Sequence, residues 1–274
     1  MTVVPAIEDA YPPSARRFGS RSTVGTVLML APAILFLVGF YVLPLMWTVR
    51  LSFPTWEDGL ANYSRFLFDP YYLRVTLNTF VLSTVVSLLS LVLGYPIAYY
   101  LVRKAKRSSG LIVFLLIAPL LTSIVMRTYG WRVLFSRRGL VNETFQAIGL
   151  TDRPLAILDN PVSAVIGLVH VLVPFMVLAI AASLQSVSRS LEESSRVLGS
   201  SAAGTFFRIT LPLTYDGIAT GTILVFMLAS GSFVTLLYLG GSISTLPLLI
   251  YQQFQTTLDF PFAAAMSNIL LVMA

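Results

Sequence analysis

The sequence predicts an all-α, polytopic membrane protein with about six transmembrane helices, and three observations carry that prediction. Apolar residues make up 56% of the 274-residue chain and charged residues only 11%, roughly half the charged share of ordinary water-soluble domains. The charges sit at boundaries and leave uncharged stretches at 22–49, 75–102, 108–126, 160–188, 217–258 and 260–274. Most of these stretches approach or exceed the ~20 helical residues that cross a hydrocarbon core about 30 Å thick. Inside lipid a helix is the simplest element that satisfies its own backbone.

The same composition removes several classes of function. With no cysteine, disulfides, thiolate metal sites and thiol catalysis are excluded, and a single histidine rules out a His-rich metal centre. The net charge of +6 does not signal a nucleic-acid partner, because the Lys and Arg residues flank apolar runs and form no continuous basic face. Membrane lipid is the predicted surrounding.

Residues 1–21, with Pro5, Pro12 and Pro13, read as a flexible cytoplasmic tail ahead of a membrane domain over 22–274. The first apolar run is too long for a secretory signal and is taken as a retained transmembrane helix. The second helix is 75–102. The third, 108–126, is short and borrows from its flank, giving a run from Leu111 to Phe135 in which Arg127 and Arg132 either snorkel to headgroups or face the bundle interior. The fourth is 160–188. Because 217–258 exceeds one crossing and is interrupted by Gly240, Gly241 and Pro247, a fifth helix is placed near 218–239 and Ser242–Leu258 is left as an exposed loop. The last segment, 260–274, would extend only about 22 Å as a helix, so a sixth helix begins there and is cut short; a re-entrant segment is the alternative. No internal repeat or low-complexity stretch is visible.

Arg16, Arg17 and Arg21 in the tail, and Arg103, Lys104, Lys106 and Arg107 after the second helix, place both regions in the cytoplasm. Alternation then puts 50–75, 136–161 and 240–259 outside and returns 189–216 to the cytoplasm. That last loop is too patterned for a plain connector. Leu191, Leu198, Ala202 and Phe206 recur at helical spacing and Glu192 lies four residues before Arg196, which predicts two short helices. Gly199 between them permits a bend through positive φ, and Pro212 marks the entry to the next membrane helix. An amphipathic elbow bearing Phe206 and Phe207 suits a partner's groove; lying on the lipid surface is the alternative.

Within the loop, Glu193-Ser194-Ser195, three further residues, Gly199, nine residues and Ile209-Thr-Leu211-Pro212 resemble the "EAA" signature of ABC importer permeases, with the two serines in place of alanines. The resemblance implies that 189–212 is a coupling loop, with Glu193 to Phe207 as the element that docks on a separate nucleotide-binding ATPase. It further implies alternating access driven by an ATPase dimer, a second homologous permease subunit and a periplasmic substrate-binding protein. The chain has no Gly-x4-Gly-Lys-Ser/Thr phosphate loop, so no cofactor is expected on it, and ATP with Mg²⁺ belongs to the partner. On this reading the chain is a transport subunit of a bacterial inner membrane, not itself an enzyme.

Arg127-Thr-Tyr-Gly-Trp131, Gly139-Leu-Val-Asn142, Val173-Pro-Phe-Met-Val177 and Leu236-Leu-Tyr-Leu-Gly-Gly241 resemble the spermidine/putrescine permease group. That implies a polyamine or related small amine as cargo. All twelve acidic residues fall outside the predicted helix interiors, so a mid-membrane polycation site built on charge pairing is not expected. Tyr95, Tyr99, Arg127, Tyr129 and Trp131 are the candidates for lining a weak passage, with interface-belt or packing roles as their alternative. His170 lacks an intramembrane carboxylate and reads as a hydrogen-bonded packing residue. Pro44, Pro96, Pro119 and Pro174 suit helices bent around a pathway. The rival function is an ion-coupled secondary transporter of small amines, which would need ionisable or oxygen-rich sites at mid-membrane.

Overall fold

The computed structural model describes residues 21–105 and 108–273, and among them every regular element is helical. Of the proposed tail 1–21, residues 1–20, including Arg16 and Arg17, lie outside the described residues, as do the basic residues Lys106 and Arg107, while Arg21 begins a helix. The chain divides into two compact units, Met1–Trp47 and Thr48–Ala274.

In the first unit, α1 (Arg21–Leu37) continues through one π turn, Val38–Val42, into α2 (Leu43–Leu51), which runs on into the second unit. Gly25–Leu51 forms a 27-residue apolar span. This is the first helix expected from the sequence.

The second unit opens with α3 (Trp56–Phe68), whose N-terminus is capped by Thr55 through Asp58 N–H. Asp69 then accepts from Tyr71 N–H at 2.8 Å, Pro70 occupies the first turn where its missing N–H costs nothing, and α4 runs from Pro70 to Arg103 without a stop. Its 34 residues extend about 51 Å. After α4 come α5 (Ser109–Ile117) and a 3₁₀ turn, Ala118–Leu121, followed by α6 (Ile124–Phe135) and α7 (Leu140–Ala147). A capping box at Asn160 and Pro161 starts α8 (Pro161–Ser186). The chain then forms α9 (Arg189–Val197), α10 (Ala202–Thr205), a π turn at Phe206–Thr210 and α11 (Leu211–Leu213). It ends with α12 (Tyr215–Ser230), α13 (Val234–Leu239), α14 (Leu246–Gln252) and α15 (Phe260–Met273).

The main core lies among α4, α8 and α12, where small residues let helix backbones approach without polar cost. Met176 is fully buried there. Gly94 and Gly221 make the room: a Cβ added at either would sit 3.0 Å from Met176 Cγ or 2.7 Å from its Sδ. A second apolar cluster joins Phe66, Tyr72 and Val75 to Leu246, Leu249, Phe262 and Met266.

Three sequence expectations are corrected. The third helix does not run straight from Leu111 to Phe135. Ser109–Leu121 and the segment from Ile124 meet at 100°, because Pro119 supplies no N–H and the chain tightens into the 3₁₀ turn before turning nearly at right angles. The fifth helix stops at Ser230 instead of near 239: Gly231 and Ser232 break it, and a separate short helix, α13, follows, in which Leu236 and Leu239 are buried. Gly167 on α8 leaves the space for Leu239, whose Cδ1 would lie 2.7 Å from an added Cβ. Finally, Ser242–Leu258 is not an exposed loop. It contains α14, in which Leu246, Pro247, Leu248 and Leu249 are all buried.

Among the described residues, three helices are therefore long and apolar enough to cross a membrane, or five counting the two bent pairs, with α15 as a shorter apolar helix. Within the second unit the ends of these helices sort into two groups. Arg103 meets Val187 and Glu192 at one end. At the other, Asn78 donates to Ser244 O, Ser163 to Leu239 O and Arg132 to Tyr238 O. The loop after α4 and the loop after α8 thus share a side, as the charge pattern predicted.

Candidate functional site

The segment 189–212 forms a helical elbow, and each bend has a local cause. Ser188 caps α9 by accepting from Ser190 N–H. At the other end Gly199 adopts φ +89°, Gly199 N–H bonds Arg196 O at 3.0 Å and Ser200 N–H bonds Ser195 O at 3.0 Å. This pair of bonds around a left-handed glycine is a Schellman stop, and the glycine bend expected from the sequence is present. Ser201 caps α10 through Gly204 N–H at 3.1 Å. Pro212 lies in the first turn of α11 and lacks the N–H that a regular helix would use. The backbone widens just before it into the π turn, where Leu211 N–H reaches back to Phe206 O.

The elbow has two faces. Val197 and Leu198 are each 86% exposed, and Phe207 is 64% exposed; with Glu193, Ser194, Gly199 and Ala202 they form an outward surface. The inward face carries Glu192, Ser195, Thr205 and Thr210, all buried, with Ile209 and Leu211 half-buried. Ser195 and Thr205 hydroxyls meet at 3.1 Å, holding α9 against α10.

Two sequence expectations fail at this face. Phe206 does not share the outward surface with Phe207: its ring is turned inward, edge-on to Tyr95 at 5.4 Å and Tyr99 at 5.9 Å. Glu192 does not pair with Arg196, four residues on. It pairs with Arg103 at the end of α4, at 3.0 Å, with both side chains less than a tenth exposed.

The five proposed passage residues do not line one path. Tyr95 and Tyr99 face the elbow, and the Tyr95 hydroxyl bonds Thr214 Oγ1 at 2.9 Å. Arg127 donates to the carbonyls of Pro119 and Thr122, so its guanidinium satisfies acceptors freed by the break between α5 and α6. Tyr129 is 59% exposed. Trp131 stacks on Phe135 at 4.9 Å and donates from Nε1 to His170 Nδ1 at 3.3 Å, so His170 is hydrogen-bonded, though it is exposed and not packed in the core. Trp131 and His170 border an apolar cavity of about 510 Å³ between α4, α5, α6 and α8, lined also by Leu89, Leu93, Leu115, Pro119 and Val169.

Among the described residues no group of His, Cys, Asp or Glu side chains is arranged to hold a metal ion. The described acids stand at helix starts or in connections: Asp69 caps α4, Asp216 lies in the first turn of α12 and Asp259 precedes α15.

A helical bundle with apolar spans and a capped elbow between two of them defines a membrane-embedded transport subunit. Residues 59–274 match the family described as binding-protein-dependent transport system inner membrane component, and the chain belongs to that family, the permease subunits of ABC importers. It is 36% identical over 248 residues to the spermidine/putrescine transport system permease protein PotB of Escherichia coli (strain K12), covering 87% of this chain and 90% of that protein. The PotB protein of Haemophilus influenzae (strain ATCC 51907 / DSM 11121 / KW20 / Rd) is 32% identical over 241 residues, 84% of each chain. In fold it is similar to a chain of a bacterial ABC transporter involved in the import of the acidic polysaccharide alginate, with a TM-score of 0.73, 20% identity and coverage of 92% and 93%.

Proposed function

We propose that this permease serves an importer of polyamines or closely related small amines, that it works beside a second, homologous permease subunit, and that its elbow docks a separate ATPase. The cargo class rests on the 36% identity to a spermidine/putrescine permease across nearly the full length of both chains. The fold alone does not choose a cargo, since a relative in shape carries an acidic polysaccharide. Nor do the spans, which place no carboxylate at mid-membrane; selection then falls to the periplasmic binding protein, and this chain acts as a conduit.

The observation that carries the docking assignment is the outward apolar surface of Val197, Leu198 and Phe207, displayed on a rigidly capped bend. Large apolar groups held this exposed by defined backbone geometry mark a contact surface. The docking residues are Glu193, Ser194, Gly199 and Phe207, with Val197 and Leu198 added to them, while Ser195, Phe206, Ile209, Leu211 and Pro212 shape the bend from behind. ATP and Mg²⁺ belong to the docked subunit. The elbow faces the cytoplasm, as does the N-terminus, in keeping with the basic residues Arg103, Lys104 and Arg189 at that end.

The test is reconstitution of both permeases, the ATPase and the cognate binding protein in liposomes. ATP-dependent uptake of labelled spermidine or putrescine is expected. Retention of a sugar or an anion by the binding protein overturns the cargo class, and uptake that persists without any ATPase overturns the mechanism in favour of an ion-coupled carrier.

A further inference from the structure

We propose that Tyr95, Tyr99 and Arg103 form the face of α4 on which the elbow is seated, and that the buried Arg103–Glu192 pair is the positioning element that makes α4 move with it. The inference deepens the docking function proposed above and rests on it.

The three α4 residues are spaced four apart and so lie on one helical face. Each holds a different part of the elbow. Tyr95 bonds Thr214 at the entry to α12, and Tyr95 and Tyr99 together grip the edge of Phe206. Arg103 closes the row. Its Nε and Nη2 both reach Glu192 Oε1, at 3.1 Å and 3.0 Å, and Nη2 also donates to Val187 O at 3.0 Å. Thr210 Oγ1 donates to the same carboxylate oxygen at 3.1 Å. One oxygen thus gathers the end of α4, the body of α9 and the π turn before α11. From the opposite side, Arg189 Nη2 donates to Val102 O at 3.0 Å, satisfying a carbonyl at the end of α4.

The chain path makes this link matter. The elbow continues covalently into α12, so movement of the elbow passes to α12 through the backbone. Arg103 and Glu192 are 89 positions apart, and α4 follows the elbow only through side chains. A buried ion pair tied by further hydrogen bonds to Val187 O and Thr210 has a narrow geometry, and removal of one partner leaves the other charged and desolvated. Glu193, the neighbouring acid and the one in register with the signature, is exposed. The two adjacent glutamates therefore divide the work: Glu193 faces the docked partner and Glu192 faces the chain's own α4.

The experiment uses the reconstituted complex and reads three quantities separately: ATPase captured per permease, ATP hydrolysed, and substrate transported per ATP. Arg103→Gln and Glu192→Gln are expected to keep capture within about twofold and to lower substrate per ATP at least fivefold; the reversed pair, Arg103→Glu with Glu192→Arg, is expected to recover most of that ratio. A purely structural role moves the yield of complex and leaves the ratio alone, and that result overturns the proposal. The chain has no cysteine, so a second arm places cysteines at 103 and 192 and bridges them with a short bifunctional thiol reagent. Bridging is expected to restore the ratio. If bridging arrests turnover, α4 and the elbow separate in each cycle and the proposal is wrong. Failure of the unmodified chain to capture the ATPase is a different result, and it overturns the docking function instead.

Discussion

At Gly199 the backbone takes φ +89°, and a Cβ placed there meets nothing within 4 Å, so any penalty for substitution is backbone strain alone. Gly199→Val is expected to cost about 1–2 kcal/mol of local stability and to weaken ATPase capture, whereas Gly199→Asn, which tolerates the left-handed region, keeps most of it. Capture by affinity-tagged permease compares the two. Beside it, Val197→Asp and Leu198→Asp touch no core and should shift stability by no more than about 0.5 kcal/mol, yet reduce capture at least tenfold; an unfolding curve paired with the capture assay separates the two effects. The glycine was legible in the sequence because few residue types adopt the left-handed backbone of that bend. The partner of Glu192 was not, since helical spacing offered Arg196 and does not say that the end of α4, with Arg103, lies against this face.

The break between α5 and α6 shows how an element hides from a hydropathy reading. A run of apolar residues broken only by Arg127 and Arg132 looks like one helix, and both arginines look like snorkelling ends. Pro119 ends the helix, and Arg127 supplies hydrogen bonds to Pro119 O and Thr122 O that the lost helical turn no longer provides. Arg127→Ala should therefore destabilise the fold by about 0.5–1.5 kcal/mol, the net worth of the lost bonds, since Pro119 O keeps Thr122 Oγ1–H and Thr122 O reaches the surface. Arg127→Lys should recover little of that, because an ammonium lacks the planar fork that spans two carbonyls; thermal unfolding in detergent ranks the three proteins. The second hidden element is α14. Its polar-looking surroundings suggested a loop, but Thr79 Oγ1 on α4 accepts from Leu246 N–H at 2.8 Å and seats the helix. Phe262 completes that cluster, fully buried, with the Arg65 guanidinium 4.5 Å above its ring and Tyr72 edge-on at 5.1 Å. Phe262→Ala should cost about 3–5 kcal/mol and expose 242–273 to limited proteolysis.

For the whole molecule, class, approximate span number and the shared side of the two loops followed from charge placement, because the penalty for a charge in lipid is large; the breaks near 121 and 230, which no charge marks, did not. What did not follow was which spans are bent, since Arg127 suited snorkelling as well as it suits the carbonyls of Pro119 and Thr122. Packing among α4, α8 and α12 depends on small residues, which hydropathy scores barely register. Gly221→Leu is expected to force Met176 out of its place, at about 1–3 kcal/mol of overpacking, and to lower the yield of assembled importer without altering which ligand the binding protein retains.

The length of α4 has a further meaning. Thr79 and Arg103 lie about 36 Å apart along it, the first holding α14 on one side of the bundle and the second holding the elbow on the other. A rod gripped at both ends joins two compartments into one thermodynamic account. If docking at the elbow changes the affinity of a ligand at the α14 end, that ligand changes the affinity of docking at the elbow by the same factor.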